Sequence, residues 1–304
     1  MSAMEKQSGE FTRVNSDFIS KGTRCAGWLY RPAGAAETPV VIMGHGFAAE
    51  RTFRLPAFAE AFAKKGLSVF LFDYRNFGDS DGKPRNLVNP FRHVADWKSA
   101  IAHVRTLPGI GKIALWGSSF GGGHVIVAAA KNPEISAIVA QVPFVDSLST
   151  VSMIGFKNTL KGYIAGSRDV FRMITFRSPY FIPVVAEPDT YAAMNTPESR
   201  AGYMALIPDG SSWENKCPAR IIFTMSAYRP ITYAKHVKCP ALILMAEQDS
   251  LIKPKSVEKT ASRIKNATLV RLPYNHFSVY RGEAFDHVLK IETDFLTRHL
   301  LEAV

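Results

Sequence analysis

Short apolar runs alternate along the chain with longer stretches whose apolar residues recur at helical spacing. Val40 to Met43 is a β-branched run stopped by Gly44-His45-Gly46, and a helical pattern follows around Leu55 to Lys65. Leu67 to Phe72 reads as the next strand, and about Phe91 to Thr106 as the next helix. Ile113 to Trp116 then predicts a strand, Val125 to Lys131 a helix, and Ile135 to Val142 a strand that ends at Pro143. From about Phe144 to His236 the rhythm is lost among frequent Pro, Gly and Ser. It resumes with a strand at Ala241 to Met245, a helix near Val257 to Ile264, a strand at Ala267 to Leu272 and a last helix from about Ala284 to Leu300. Strand and helix in alternation predict an α/β fold, a mostly parallel sheet with helices on both faces. The irregular stretch predicts an insertion: a core of residues 1–143 and 237–304 interrupted by a cap or lid of 144–236. Placed between two strands, such an insertion sits at their carboxyl ends, where open α/β sheets bind ligands.

Composition narrows the class without naming it. At 304 residues and 47% apolar, the chain can bury a substantial core. No run approaches the roughly 18 consecutive apolar residues of a membrane span, and Met1 to Glu10 is too polar for a secretory signal, so a cytoplasmic protein is expected. Cys25, Cys217 and Cys239 are far apart and lack metal-ligand spacing, which predicts buried packing rather than a metal site. The net charge of +11 would permit anionic partners, yet the lysines and arginines are scattered and no RNA motif interleaves them with aromatics. A solvated basic surface is expected, with no nucleic-acid partner.

Chemistry concentrates at Gly117-Ser118-Ser119-Phe120-Gly121, between a predicted strand and a predicted helix. Such a strand-turn-helix lifts the hydroxyl of its central serine clear of the sheet edge, and small residues two positions to either side let the strained backbone pack. A serine hydroxyl needs a base at neutral pH, usually a histidine oriented by a carboxylate. For this turn the chain order is nucleophile, acid, histidine. Five histidines follow Ser119. His124 is too close behind it, His287 and His299 lie in the last helical pattern, and His236 precedes a strand. His276 falls in the loop after the last strand, Pro273-Tyr274-Asn275-His276-Phe277, and is the expected base. Asp249, in the loop after the strand at Ala241, is the expected acid, with Glu247 as runner-up and Asp286 set aside as helical. Acyl transfer also needs donors for an oxyanion. Phe120, directly after the serine, and Phe47, in the glycine-flanked loop Gly44-His45-Gly46-Phe47, are the expected backbone donors. His45 precedes Ser119 in the chain and is read as packing that loop.

These features together resemble the α/β-hydrolase superfamily over nearly the whole chain. His45-Gly46-Phe47 is similar to its oxyanion loop, and Asp73 to Ser80 to its Asp-x-Arg-Gly-x-Gly-x-Ser turn, with Asn76 in place of the usual glycine. Asparagine tolerates positive φ, so the turn is expected to survive. The resemblance implies an eight-stranded, mostly parallel sheet, a Ser-His-Asp triad, a cap and no cofactor. More narrowly, Ala95-Asp96-Trp97, Ala114-Leu115-Trp116-Gly117, Trp213-Glu214-Asn215 and Tyr228-Arg229-Pro230 resemble a subgroup that includes fungal polyketide transferases. The function expected is serine-dependent hydrolysis of a carboxylic ester through an acyl-enzyme. Acyl transfer to an alcohol or amine is the alternative, ahead of a peptidase or a non-catalytic binder. The expected partner is a small-molecule ester or acyl substrate, and a homodimer is compatible with the sequence. The Met and aromatic residues of the insertion, among them Met153, Phe156, Tyr163, Phe171, Tyr180, Phe181, Tyr203, Met204 and Trp213, are expected to form its own small core, with some facing an apolar pocket.

Overall fold

A computed structural model describes residues 6–34 and 36–302; the polar stretch at Met1 to Glu10 lies partly outside them. Thirteen strands occur in these residues: β1 (Lys6–Ser8), β2 (Phe11–Asn15), β3 (Phe18–Ser20), β4 (Thr23–Cys25), β5 (Gly27–Pro32), β6 (Thr38–Gly44), β7 (Ser68–Phe72), β8 (Ile110–Ser118), β9 (Ala137–Gln141), β10 (Phe181–Ile182), β11 (Cys217–Pro218), β12 (Ala241–Ala246) and β13 (Ala267–Leu272). Nine helices accompany them: α1 (Leu55–Lys64), α2 (Pro90–Thr106), α3 (Phe120–Lys131), α4 (Ser147–Ile154), α5 (Phe156–Ile174), α6 (Ser199–Met204), α7 (Ile221–Ser226), α8 (Pro254–Ala261) and α9 (Gly282–Leu300). None is long and apolar enough to cross a membrane among the described residues.

The main sheet runs β1-β2-β5-β7-β6-β8-β9-β12-β13. From β7 to β13 every pairing is parallel, while β1, β2 and β5 form an antiparallel edge. The eight strands implied by the superfamily are present, and the three-residue β1 pairs outside them. The inner parallel strands β7, β9 and β12 are buried on both faces, which is why they read as unbroken apolar runs, whereas β13 at the edge is only partly covered. Chain direction fixes where the helices lie, because parallel crossovers are right-handed. The chain steps one way from β6 through α1 to β7, and the other way from β7 through α2 to β8. That puts α1 and α2 on opposite faces; α9 packs with α1, and α3 with α2. Local signals agree: Asn89 caps α2 by accepting from the N–H groups of Phe91 and Arg92 at 3.1 Å each, and Pro90 opens it.

Register places the site. Gly44 at the end of β6 lies opposite Gly117 of β8, and Ala246 at the end of β12 lies opposite Leu272 of β13. The loops leaving these strands therefore emerge side by side at one edge. Between β9 and β12, neighbours in the sheet, the chain forms α4 to α7 and the small β10–β11 ladder.

The aromatic residues of this insertion differ from expectation. Tyr203 is buried, but Phe156, Phe171, Met153, Met204 and Tyr163 are exposed, so they do not form a core of its own. The reason is visible on α5, whose buried positions are Gly162, Ala165, Gly166 and Asp169. Small residues let α5 approach Ile222 and Phe223 of α7 closely, and that contact turns the bulky side chains outward.

Candidate active site

Ser119 stands between β8 and α3 with φ 56° and ψ −118°, a left-handed conformation unusual for a serine. The turn closes only because its flanks are small: a Cβ on Gly117 would sit 2.3 Å from the carbonyl oxygen of Gly121. Ser119 donates its backbone N–H to Gln141 at 2.8 Å, and its carbonyl accepts from Phe144 at 2.8 Å, so the strand edge holds the strained residue from both sides.

His276, after β13, brings Nε2 to 3.0 Å from Ser119 Oγ. Its Nδ1 lies 2.7 Å from Asp249 Oδ2. The other oxygen of Asp249 accepts from the N–H groups of Leu251 and Ile252 at 2.8 and 2.9 Å, which fixes the carboxylate. The side chain of Asn275 likewise accepts from the N–H groups of Phe277 and Ser278 at 3.0 and 2.9 Å and shapes the histidine loop. Histidine and aspartate are both buried, whereas Glu247, the alternative acid, is exposed. Serine, histidine and aspartate therefore form one hydrogen-bonded row, although 157 residues separate Ser119 from His276.

His45 is buried and apart from this row. Its Nδ1 is 3.0 Å from the carbonyl of Gly46, and desolvation lowers its pKa to about 3, so it is a neutral loop residue. His124, also buried and lowered to about 3 chiefly by desolvation, bonds the Tyr228 hydroxyl at 2.6 Å. Asn76 holds φ 76°, the positive value its turn requires. The three cysteines are free and buried, and burial raises their thiols to about 11–12. No group of three or more His, Cys, Asp or Glu among the described residues is arranged to hold a metal.

Phe47 and Phe120 pack edge to face, ring centroids 5.6 Å apart, and both line a cavity of about 260 Å³ that opens onto Ser119. Phe144, Met194, Met225 and Leu251 make its wall mainly apolar. A second chamber of about 30 Å³ also touches Ser119 and is lined by His276 and Gly46.

The sequence did not reveal how the insertion grips this edge. The Tyr203 hydroxyl donates to the carbonyl of Phe47 at 2.9 Å, and Trp213 Nε1 donates to the carbonyl of Ala48 at 2.8 Å. Ser250, beside Asp249, donates to Glu198 Oε1 at 2.7 Å and its hydroxyl lies 2.8 Å from that of Thr196. Gly202 lies so close to Phe277 that an added Cβ would sit 2.5 Å from its ring. The segment from Thr196 to Trp213 thus contacts the loops of Phe47, Asp249 and His276 together.

A mostly parallel, helix-covered sheet with serine, histidine and aspartate in a row at its carboxyl edge is the architecture of an α/β-hydrolase. The chain belongs to that superfamily: residues 35–277 match the family described as serine aminopeptidase, S33. It is 36% identical to the quorum-quenching protein AidA of Acinetobacter baumannii over 94% of both chains. It is 26% identical to the polyketide transferase af380 of Aspergillus fumigatus, covering 90% of this chain and 94% of that one. The crystal structure of the α/β-hydrolase GrgF from a Penicillium species shares the fold, with a TM-score of 0.80 at 24% identity over 95% of this chain and 99% of that one.

Proposed function

We propose that the protein is a serine-dependent carboxylic ester hydrolase that works through an acyl-enzyme, with residues 144–236 as the cap over its pocket. The observation that carries this reading is the row Ser119–His276–Asp249, at 3.0 and 2.7 Å. Ser119 Oγ attacks the ester carbonyl while His276 Nε2 takes its proton. The C–O bond to the alcohol then breaks, and the alcohol leaves with that proton. Asp249 orients the imidazole and stabilises its charged form. The N–H groups of Phe47 and Phe120 hold the oxyanion; the latter belongs to the first residue of α3 and has no acceptor within its own helix. A water with His276 as base then attacks acyl-Ser119, and the acid departs. The 30 Å³ chamber beside His276 has room for that water. The larger, mainly apolar cavity suits the acyl chain. This chemistry calls for no cofactor.

The relative named as a polyketide transferase supports a second reading, in which an alcohol or amine takes the acyl group in place of water. A chain-length series of p-nitrophenyl esters, with wild type and Ser119→Ala, tests the first reading. Hydrolysis is expected to vanish in the variant, and equal rates in both would remove Ser119 as nucleophile. Adding alcohol or amine acceptors and measuring free acid against acylated product decides between hydrolysis and transfer.

A further inference from the structure

On α5 three sets of positions repeat at helical spacing, and each has a separate role. Gly162, Ala165, Gly166 and Asp169 face α7 and the body of the protein. Phe156, Leu160, Ile164 and Phe171 are spaced four, four and seven residues apart, which places them in one stripe, and all are exposed. Lys157, Lys161, Arg168 and Arg172, spaced four, seven and four residues apart, run as a neighbouring basic stripe. Residues that look scattered in the sequence are therefore aligned by the helix. The 19-residue helix is about 28 Å long, and each stripe covers about 22 Å of it.

The apolar stripe is not incidental exposure. Phe156 is 83% exposed and Ile164 62%, and just past the helix Phe176 is 99% exposed while holding φ 55°, a costly conformation for a bulky residue. The backbone there closes α5, with the N–H groups of Phe176 and Arg177 donating to the carbonyls of Met173 and Arg172 at 3.2 and 2.8 Å, while the ring itself is left in solvent. Lys157 and Lys161 form no salt bridge among the described residues; Arg168 lies over the Tyr180 ring at 4.5 Å and Arg172 donates to the carbonyl and hydroxyl of Ser178 at 2.6 and 2.8 Å, so neither arginine has a carboxylate against it and the stripe keeps its charge. The single acid of α5, Asp169, is buried and bound to Arg220 at 2.7 Å. Neighbouring α4 carries no charged residue, and its Thr150, Met153 and Ile154 line the cavity at Ser119. The apolar face thus continues to the cavity mouth.

We infer that α5 with Phe176 docks the protein on a membrane surface bearing anionic lipid headgroups. Phe156, Leu160, Ile164, Phe171 and Phe176 would enter the acyl boundary, and the parallel row of cations would meet the phosphates. Charge selects this partner over a second copy of the chain. Two copies joined through α5 would bring two basic stripes together with no exposed carboxylate on α4 or α5 to answer them, on a chain of net charge +11.

Flotation with vesicles tests the inference, using phosphatidylcholine alone and an equal mixture with phosphatidylglycerol, at low and high salt. The expected result is binding to the mixed vesicles that weakens in salt, with little binding to phosphatidylcholine alone. Lys157→Gln with Lys161→Gln and Arg168→Gln should lower the partition coefficient at least about tenfold, and Phe156→Ser with Phe176→Ser should abolish binding. Circular dichroism and hydrolysis of a water-soluble ester report on folding, since none of these residues lines the cavity. Equal binding to both vesicle types, or none to either, overturns the inference. So does a wild-type dimer in sedimentation velocity that Phe156→Ser with Leu160→Ser converts to monomer, which would assign the face to a second copy. Vesicle binding is measured without catalysis, so its failure and that of the hydrolase reading are distinct results.

Discussion

The two halves of the insertion treat aromatic residues in opposite ways. Between Thr196 and Trp213 the polar tips of Tyr203 and Trp213 are bonded to the carbonyls of Phe47 and Ala48, and their rings pack on each other at 5.4 Å. Between Ser147 and Phe176 the rings of Phe156, Phe171 and Phe176 face outward, Tyr163 rests half-exposed against Phe223, and α5 contacts the protein through glycine, alanine and Asp169. One half is built to hold loops in place, because a tyrosine or tryptophan can bury its ring and still satisfy a backbone acceptor. The other contributes wall to the cavity but leaves its bulk free. Substitutions in the first half should therefore change turnover of any ester, whereas those on the outer face of the second should leave a soluble ester untouched.

Predictions graded by size can break that contrast. The scale is set by the row itself: Asp249→Asn, which keeps the shape but removes the carboxylate charge facing His276, should cut kcat on a p-nitrophenyl ester about ten-thousandfold. Gly202→Ala comes next. In an exposed helix this change stabilises by about 1 kcal/mol, but here the new methyl displaces Phe277 and with it the loop of His276. A fall in kcat of about tenfold or more is expected, and unchanged kinetics would show that the anchored half does not set the histidine loop.

Tyr203→Phe keeps the ring and deletes its bond to the carbonyl of Phe47. Such a bond contributes about 1 kcal/mol, so a drop of about fivefold in kcat with KM nearly constant is expected. A rise in KM alone would make Tyr203 a wall of the pocket rather than a brace. Smallest of all, Phe156→Ser should alter hydrolysis of a soluble ester by less than about twofold; a larger loss would erase the distinction between the two halves.

Glu292 gives a separate test of the core beneath the site. It is buried on α9 with Oε2 bonded to Trp116 Nε1 at 2.8 Å and Oε1 without a hydrogen-bond partner. Burial raises its carboxyl from 4.5 to about 8, against the opposing bond from Trp116. A pKa raised by folding means that the folded state holds the proton more tightly than the unfolded state. The resulting stability is full below about 4.5 and is lost as pH rises to about 8. Over that window the wild type should lose several degrees of Tm that Glu292→Gln retains, and parallel Tm–pH curves would contradict the assignment.

What could be read from sequence follows from what each segment buries. Strands such as Val40 to Met43 and Ala241 to Met245 lie inside the sheet with both faces covered, so their apolar runs are continuous and legible. The elbow was readable because its glycines answer a steric need at that spot. The N-terminal strands β1 to β5 escaped notice: they are short, at the antiparallel edge or in a two-residue-turn ladder, and β2, Phe-Thr-Arg-Val-Asn, buries only Phe11 fully. The insertion misled in the other direction. Its bulky residues suggested a core, but glycines decided which side of α5 faces in. The bonds of Tyr203 and Trp213 end on backbone carbonyls, which leave no trace in side-chain sequence.

The central claim is that Ser119 is the nucleophile of the row it forms with His276 and Asp249. Incubation with an alkyl p-nitrophenyl phosphonate, followed by intact-mass and peptide analysis, tests this directly. The account predicts one covalent adduct on Ser119, absent from Ser119→Ala and formed far more slowly by His276→Ala. An adduct on another residue, or labelling of the Ser119→Ala protein at the wild-type rate, would contradict it.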